Sequence, residues 1–379
     1  MWLSGLMFMF GLVTMCQGFT KNYAGILVTR FLLGVAEAGM FPGCFYLIGM
    51  WYKRSEAQTR YSFFFSSTSL AGAFGGLLAS AIGKMDHLNG FRGWRWIFIL
   101  EGILTMVVAM IFYFTLPSFP EDAKWLTEEE RKFVIARLRV DQGHSAVERK
   151  ITARDVARCF KDYKIWLGGL MYLGLIVPAY GYAFFAPTIL SGLGYSAIQT
   201  QLHSVPPWVC SFTLSMIVAW LSDRFRHRLA FTLIPICIAL AGFGILMNVH
   251  HNVNIQYTGL FLVAMGCYAS MPIMICWFNM NLGGHHRRSV GSAWQVSFGN
   301  VGGIIATFIF LKKDAKTFYH RGYSICVGFI CLAAASCIVY GFAVWRENKK
   351  RDKNAGQSGL TQEQKVELGD NNPDYRYLL

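Results

Sequence analysis

Long apolar stretches separated by short polar segments occupy most of this chain. A helix needs about 20 mostly apolar residues to cross the hydrocarbon core of a bilayer. Because prolines and glycines are tolerated within membrane helices, the pattern predicts an all-α, polytopic membrane helix bundle. The ten predicted spans are 1–19, 23–50, 61–82, 96–116, 164–190, 204–221, 229–249, 257–280, 291–311 and 323–345.

The composition excludes most soluble proteins. Only 15% of the 379 residues are charged, and the mean hydropathy is +0.37, whereas soluble domains carry about 25% charged residues. No paired carboxylates, Ser/His/Asp set or Cys/His set occurs at one depth of the predicted bundle. We therefore expect that the chain is not an enzyme and that it holds neither a cofactor nor a metal.

One long polar segment interrupts the spans and divides them into four and six. Its charge pattern predicts one or two amphipathic helices on the inner surface, and Thr127 lies three residues before Glu130, as in a capping box. The chain beyond about Trp345 is polar, and we expect it to be mobile. The expected domains are an N-terminal bundle (1–116), a cytoplasmic linker (117–163), a C-terminal six-helix bundle (164–345) and a cytoplasmic tail (346–379).

The net charge of +14 lies mostly on one side of the predicted membrane. When Lys164, at the end of a span, is counted with the adjoining loop, 26 of the 35 Lys and Arg residues face the side of the linker and 8 face the other. Cytoplasmic loops carry such an excess. We therefore expect both termini in the cytoplasm and no nucleic-acid partner. The expected location is the plasma membrane, with the vacuole as the alternative.

Two acids, Glu37 and Glu101, and one base, Arg30, lie in the interior of the predicted spans. A charge near the bilayer centre costs roughly 2.5–3.5 kcal/mol on insertion scales, so such residues are functional candidates. Arg30 and Glu37 are close to two helical turns apart and share one face, about 10.5 Å from each other. We expect Arg30 to bind a substrate carboxylate and Glu37 to take up a proton. A structural polar network is the alternative, and Glu101 is expected to pair with Arg92 or Arg95.

Uncharged polar groups in the C-terminal spans are the next candidates. Asn300 lies among glycines, where a neighbouring backbone can approach closely, and Gln295 precedes it on the same span. Each amide is expected either to contact a substrate or to bond a neighbouring helix. Tyr180 and Tyr182 follow Pro178, where a helix kink is expected, and they form either a gate or an aromatic packing contact.

The loop SDRFRHR, at 222–228, combines one acid with three basic residues other than histidine. Asp223 lies at the end of one helix, and Arg224 and Arg228 lie towards the start of the next. This arrangement favours a latch, an ion pair that breaks as the bundle rocks. An ordinary positively charged inner loop is the alternative, and the sequence does not separate the two.

Several of these segments resemble the major facilitator superfamily. The string RFLLG, which starts at Arg30, resembles its fourth-helix motif R-x-x-x-G, and SDRFRHR resembles the second copy of its D-R-x-x-x-R loop motif. Over nearly its whole length the chain is similar to the fungal anion:cation symporter branch, which includes allantoate, nicotinate, pantothenate and biotin permeases. The strings that carry this similarity are RFLLGVAEAGMFPG, RGWRWIFILEG, LPSFPEDAKWLTEEER and ELGDNNPDYRYLL.

The resemblance implies a secondary active transporter that takes up a small organic anion together with a proton. It implies alternating access between two six-helix halves, with Glu37 as the protonation site, Arg30 as its partner and Asn300 as a substrate contact. The fifth-helix signature of drug antiporters is missing from SLAGAFGGLLAS, which favours symport. Because monomers are usual in the superfamily, a monomer in the lipid bilayer is expected.

The resemblance also sets an expectation about the length of the chain. The superfamily has twelve spans and this sequence predicts ten, the first of which matches the family's third. We therefore expect the sequence to lack the first two family helices, which opens one wall of the transport cavity. The alternative function is then a non-transporting membrane protein, such as a nutrient sensor or a truncated remnant.

Overall fold

The computed structural model describes residues 2–53, 56–117, 119–123, 125–142, 152–192, 194, 197–250, 252–283, 285–311, 314, 317–353, 373 and 375–379. These ranges are helical almost throughout and contain no strand, so the all-α prediction is confirmed. The helices are α1 (Trp2–Gln17), α2 (Tyr23–Glu37), α3 (Met40–Trp51), α4 (Ala57–Gly83), α5 (Gly93–Thr115), α6 (Glu128–Gln142), α7 (Ala153–Phe160), α8 (Tyr163–Gly192), α9 (Ala197–Phe225), α10 (Arg228–Asn248), α11 (Val253–Asn281), α12 (His285–Thr307) and α13 (His320–Lys353).

Every predicted span corresponds to one or two of these helices. Within the described part of the chain, eight helical stretches are long and apolar enough to cross a membrane, and α2 and α3 together form one of them. The remaining two predicted spans are α1, which has 16 residues, and α12, which begins with the polar string HHRRS. The helix α12 ends at Thr307, four residues before the predicted end of the ninth span at 311.

The chain forms two compact units. Unit 1 consists of Met1–Trp51 and Phe74–Ala136, and unit 2 consists of Tyr52–Ala73 and Arg137–Leu379. The first part of α4 thus groups with unit 2, whereas the expected domain borders place all of α4 in the N-terminal bundle. Those borders remain a prediction.

Close helix packing in unit 1 depends on glycines that α1 and α5 present to each other. A Cβ atom at Gly102 would lie 2.5 Å from the backbone nitrogen of Met15 and 2.8 Å from the carbonyl oxygen of Gly11. A Cβ atom at Gly18 would lie 2.9 Å from the carbonyl oxygen of Arg95. Small residues of this kind let two membrane helices approach at backbone distance, and here they join the first span to the fourth.

Unit 2 is built around α11. Every residue from 266 to 283 is buried, because α8, α9 and α10 pack against this helix. At Gly242 of α10 a Cβ atom would meet the backbone nitrogen of Val263 at 2.7 Å. The helix α8 also packs against α12 and α13, so that α8 and α11 together form the interior of the unit.

The linker contains two helices, α6 and α7, as the charge pattern predicts. The capping box is confirmed: the backbone N–H of Thr127 donates to Oε2 of Glu130 at 2.9 Å, and the N–H of Glu130 donates to Oγ1 of Thr127 at 3.3 Å. These hydrogen bonds lower the pKa of Glu130, because they stabilise its charged form. The helix α7 begins similarly, with Thr152 donating to Asp155.

The prediction of a mobile tail beyond Trp345 is wrong for two described parts. The helix α13 continues to Lys353, and residues 375–379 pack against one end of unit 2. We call this end the linker end; it comprises the start of α8, the α9–α10 junction and the ends of α11 and α13. The apolar pattern did not reveal this contact, because main-chain groups of residues 377–378 form it by hydrogen bonding to polar side chains of the helices.

Candidate functional site

Arg30 and Glu37 both lie on α2, in unit 1, and both side chains are exposed. The guanidinium of Arg30 lies 5.5 Å from the centre of the Phe98 ring on α5, a cation–π geometry. In the described part of the chain no hydrogen bond or ion pair engages the Arg30 side chain or joins it to Glu37. The ring therefore orients Arg30 while its N–H donors stay available for an anion.

The span that carries these residues is interrupted directly after Glu37. The sequence predicts one helix over 23–50, but α2 ends at Glu37 and α3 begins at Met40. Pro42 lies in the first turn of α3, where a missing N–H costs no helical hydrogen bond. At Gly39 and Gly43, Cβ atoms would lie 2.9 and 2.6 Å from the side chains of Leu6 and Leu3 on α1. Proline and glycine near the break were the available sequence signal.

Glu101, the second acid within a span, is partly exposed on α5. The expected pairing with Arg92 or Arg95 is not made within the described residues. Instead, Arg95 donates from Nη2 to the carbonyl oxygen of Thr20 at 2.8 Å and lies over the rings of Phe91 and Trp94. These two rings and the carbonyl oxygen stabilise the positive charge of Arg95, so that no carboxylate is needed beside it.

The two amide candidates on α12 lie in different environments. Asn300 is exposed and has no hydrogen-bond partner among the described residues. Gln295 is fully buried; its Oε1 accepts a 3.1 Å hydrogen bond from Asn279 on α11, and its Nε2 donates to the carbonyl oxygen of Gly168 on α8 at 3.4 Å. Gln295 therefore links three helices and reaches a substrate only if this network rearranges.

Tyr180 and Tyr182 follow Pro178 on α8, which continues as one helix to Gly192. Tyr180 is 37% exposed and its ring lies against Phe184. A Cβ atom at Gly303 of α12 would be 3.4 Å from the Tyr180 ring, an ordinary van der Waals distance, so the ring lies beside this glycine. Tyr182 is buried, and its ring packs edge-on against Trp208.

The predicted latch residues Asp223 and Arg228 form an ion pair, 2.7 Å from Nη2 of Arg228 to Oδ1 of Asp223. The buried guanidinium of Arg228 also donates from Nη1 to Oγ of Ser222 at 2.9 Å. Oδ2 of Asp223 accepts from the backbone N–H of Thr59 at 3.0 Å and from its hydroxyl. Arg224, the third predicted member, is exposed and makes no such contact in the described structure.

Thr59 is the member of this cluster that sequence reasoning missed. It lies in the first turn of α4, where backbone N–H groups have no helical partner and favour a negative charge. Asp223 supplies that charge from 164 positions further along the chain. No local pattern connects two such residues, so only the tertiary structure identifies the contact.

Groups of three or more His, Cys, Asp or Glu side chains that would hold a metal ion were not found among the residues that the structure describes.

Comparison with known proteins gives concordant results. Residues 1–307 match the family model described as Major Facilitator Superfamily. The chain is 33% identical to the MFS transporter prlL of Fungal sp. (strain NRRL 50135), covering 94% of this chain and 72% of that protein. It is 27% identical to the high-affinity nicotinic acid transporter of Saccharomyces cerevisiae, covering 97% of this chain and 69% of that protein.

A solved structure with the same fold is the proton:xylose symporter XylE bound to 6-bromo-6-deoxy-D-glucose. It superposes with a TM-score of 0.64 at 16% identity, over 89% of this chain and 77% of that one. At this identity the likeness shows the fold alone. The fold, the match over residues 1–307 and the fungal relatives together show that this chain belongs to the Major Facilitator Superfamily, a family of membrane transporters rather than enzymes.

Proposed function

We propose that this chain takes up a small organic anion, a carboxylate of the nicotinate or allantoate class, together with a proton. The observation that carries the proposal is the presence of Arg30 and Glu37 on one helix, two turns apart, with the N–H donors of Arg30 free of hydrogen-bond partners in the described structure. The similarity to a nicotinic acid transporter supports the choice of a carboxylate.

The charges of these two residues explain why an anion and a proton would move together. A guanidinium binds a carboxylate through two parallel hydrogen bonds. When Arg30 binds the anion and Glu37 binds a proton, the net charge of the pair is the same as when both are empty. Loading both therefore avoids the cost of an extra charge within the bilayer and makes the anion and the proton bind cooperatively.

In unit 2 we assign substrate contact to Asn300 and Tyr180, whose side chains are exposed. We assign Gln295 and Tyr182 to the packing that supports the substrate-contacting residues, since both side chains are buried. Asp223 and Arg228 are assigned to the latch that opens during alternating access, and Arg224 contributes positive charge to the same junction.

The excess of Lys and Arg on the side of the linker supports a cytoplasmic location of both termini. We therefore propose that the linker end of unit 2 faces the inner surface of the membrane. We propose a monomer in the plasma membrane, in keeping with the expectation from the superfamily.

Uptake of radiolabelled nicotinate and allantoate by cells that express the chain tests this function. Uptake should be faster at acidic than at neutral external pH and should stop when a protonophore removes the gradient. Nicotinamide, which has the same ring without the carboxylate, should not compete. Surface expression without uptake of any carboxylate would contradict the proposal and favour a non-transporting role.

A further inference from the structure

The strap, residues Tyr375–Leu379, lies across the linker end of unit 2. It contacts the start of α8 through Lys164, the start of α10 through Arg228, the end of α11 through Asn281 and the end of α13 through Asn348. Four helices that are separate in the sequence thus meet one short peptide.

Two asparagine side chains hold the strap by its backbone. Nδ2 of Asn348 donates to the carbonyl oxygen of Tyr377 and Oδ1 accepts from the N–H of the same residue, each at 2.9 Å. Asn281 does the same for Leu378, at 3.0 Å for the carbonyl oxygen and 2.7 Å for the N–H. An amide that pairs with both backbone groups of one residue selects an extended peptide, in the way that an added strand is recognised.

Side-chain recognition is added at Tyr377, which is buried. Its ring lies 4.4 Å from Nζ of Lys164 and 4.8 Å from Cζ of Arg351, so that two cations contact one aromatic side chain. Its hydroxyl accepts a 2.8 Å hydrogen bond from Lys164. The hydroxyl of Tyr375 donates to the carbonyl oxygen of Met280 at 3.2 Å. These contacts favour a peptide with tyrosines at alternate positions.

Buried donors of the bundle find their acceptors in the strap. The indole N–H of Trp277, on a fully buried side chain, donates to the carbonyl oxygen of Leu378 at 2.8 Å. The backbone N–H of Arg228, at the first position of α10, donates to the main-chain oxygen of Leu379 at 2.5 Å. Without the strap a buried indole N–H and a helix-terminal N–H would lose these partners, at a cost in free energy.

The contact at Arg228 connects the strap to the latch. The backbone of Arg228 binds the strap, while its guanidinium binds Asp223, whose other oxygen accepts from Thr59. We propose that the linker end of unit 2 is a peptide-binding site, filled by the strap, and that the bound strap positions Arg228 for its ion pair with Asp223. The strap is thus a positioning element that acts through Arg228.

Peptide binding to a chain that ends at Asn372 tests the site. A fluorescein-labelled peptide PDYRYLL should bind the purified shortened protein and should bind the full chain more weakly, because the covalently attached strap competes at high effective concentration. Substitution Asn281→Leu in the shortened protein should weaken binding about tenfold, since two hydrogen bonds are lost. The matched control Asn248→Leu removes an amide whose one side-chain hydrogen bond among the described residues goes to Gly244 of its own helix, and it should leave binding unchanged.

Equal binding of a peptide in which the second tyrosine is alanine would overturn the proposal, as would failure of PDYRYLL to bind a monodisperse, folded shortened protein. Neither outcome depends on transport, so failure of the site and failure of the proposed function are distinguishable.

The positioning role is tested by a double-mutant cycle read as the thermal unfolding midpoint. If the strap acts through Arg228, the effects of Asn281→Leu and Asp223→Asn should not add, because residues in one network are coupled. The cycle of Asn248→Leu with Asp223→Asn should be additive. Additivity in both cycles would show that the strap stabilises the bundle without positioning the latch, and would overturn this part of the proposal.

Discussion

Asp223 and Thr59 join the start of α4 to the α9–α10 junction: both the backbone N–H and the hydroxyl of Thr59 donate to Oδ2 of Asp223. The other carboxylate oxygen accepts from Arg228. One carboxylate therefore satisfies a helix N-terminus and a buried guanidinium together. The consequences for stability and for transport can be measured separately.

Substitution Arg228→Met should destabilise the protein strongly. Removal of one partner from a fully buried ion pair costs about 3–5 kcal/mol. Because Asp223 is 17% exposed and keeps its hydrogen bonds from Thr59, we expect a cost at the lower end of this range. The exposed Arg224, which has no such contact in the described residues, provides the matched control. We expect a lower yield of monodisperse protein and a lower unfolding midpoint for Arg228→Met, and values close to those of the parent for Arg224→Met. Equal behaviour of the two variants would show that the ion pair contributes little.

Substitution Glu37→Gln should abolish the acceleration of uptake at acidic pH without loss of surface expression. The amide is similar in size to the carboxyl group but cannot gain or lose a proton. Anion exchange across equal pH should persist, because Arg30 still binds the carboxylate.

The matched control for Glu37 is Glu101→Gln, which neutralises the other acid within a span. Its pH profile should follow that of the parent. Normal proton-driven uptake by Glu37→Gln would refute the assignment of the coupling site.

Substitution of two asparagines, Asn300 and Asn279, distinguishes a substrate contact from a structural contact. Asn300→Ala should raise the KM for the anion with unchanged protein yield, because Asn300 is exposed and has no partner among the described residues. Asn279→Ala should lower the unfolding midpoint, because it leaves buried Gln295 without a donor at a cost of about 1–3 kcal/mol. If Asn300→Ala leaves the KM unchanged, Asn300 does not contact the substrate.

Substitution Gly102→Ala should separate α1 from α5. The added Cβ would meet the backbone of Met15 at 2.5 Å, and overpacking of this kind typically costs about 1–3 kcal/mol. Gly75→Ala, where a Cβ meets nothing within 4 Å, is the control and should be neutral in a thermal unfolding assay. A neutral Gly102→Ala would mean that the two helices adjust without loss of stability.

The membrane-spanning helices could be predicted from the sequence because each is encoded by a local apolar run. A backbone segment in the bilayer must form its hydrogen bonds within the segment itself, so an apolar run that is long enough to cross the bilayer is expected to form an α-helix. The capping box at Thr127 and Glu130 is local for the same reason, since its partners are three residues apart. The break after Glu37 was missed because the apolar pattern continues through Gly39 and Pro42 without a polar interruption.

The partners of the polar side chains were decided by the tertiary structure. Gln295 and Asn300 are five positions apart on one helix and look equivalent in the sequence, yet one is fully buried and the other is exposed. The same holds for Arg228 and Arg224, of which only the first reaches Asp223. The apolar runs determined which segments become helices, because burial in lipid needs only local composition. A hydrogen bond needs two groups at one distance and angle, and for Asp223, Gln295 and the strap those groups come from distant parts of the chain.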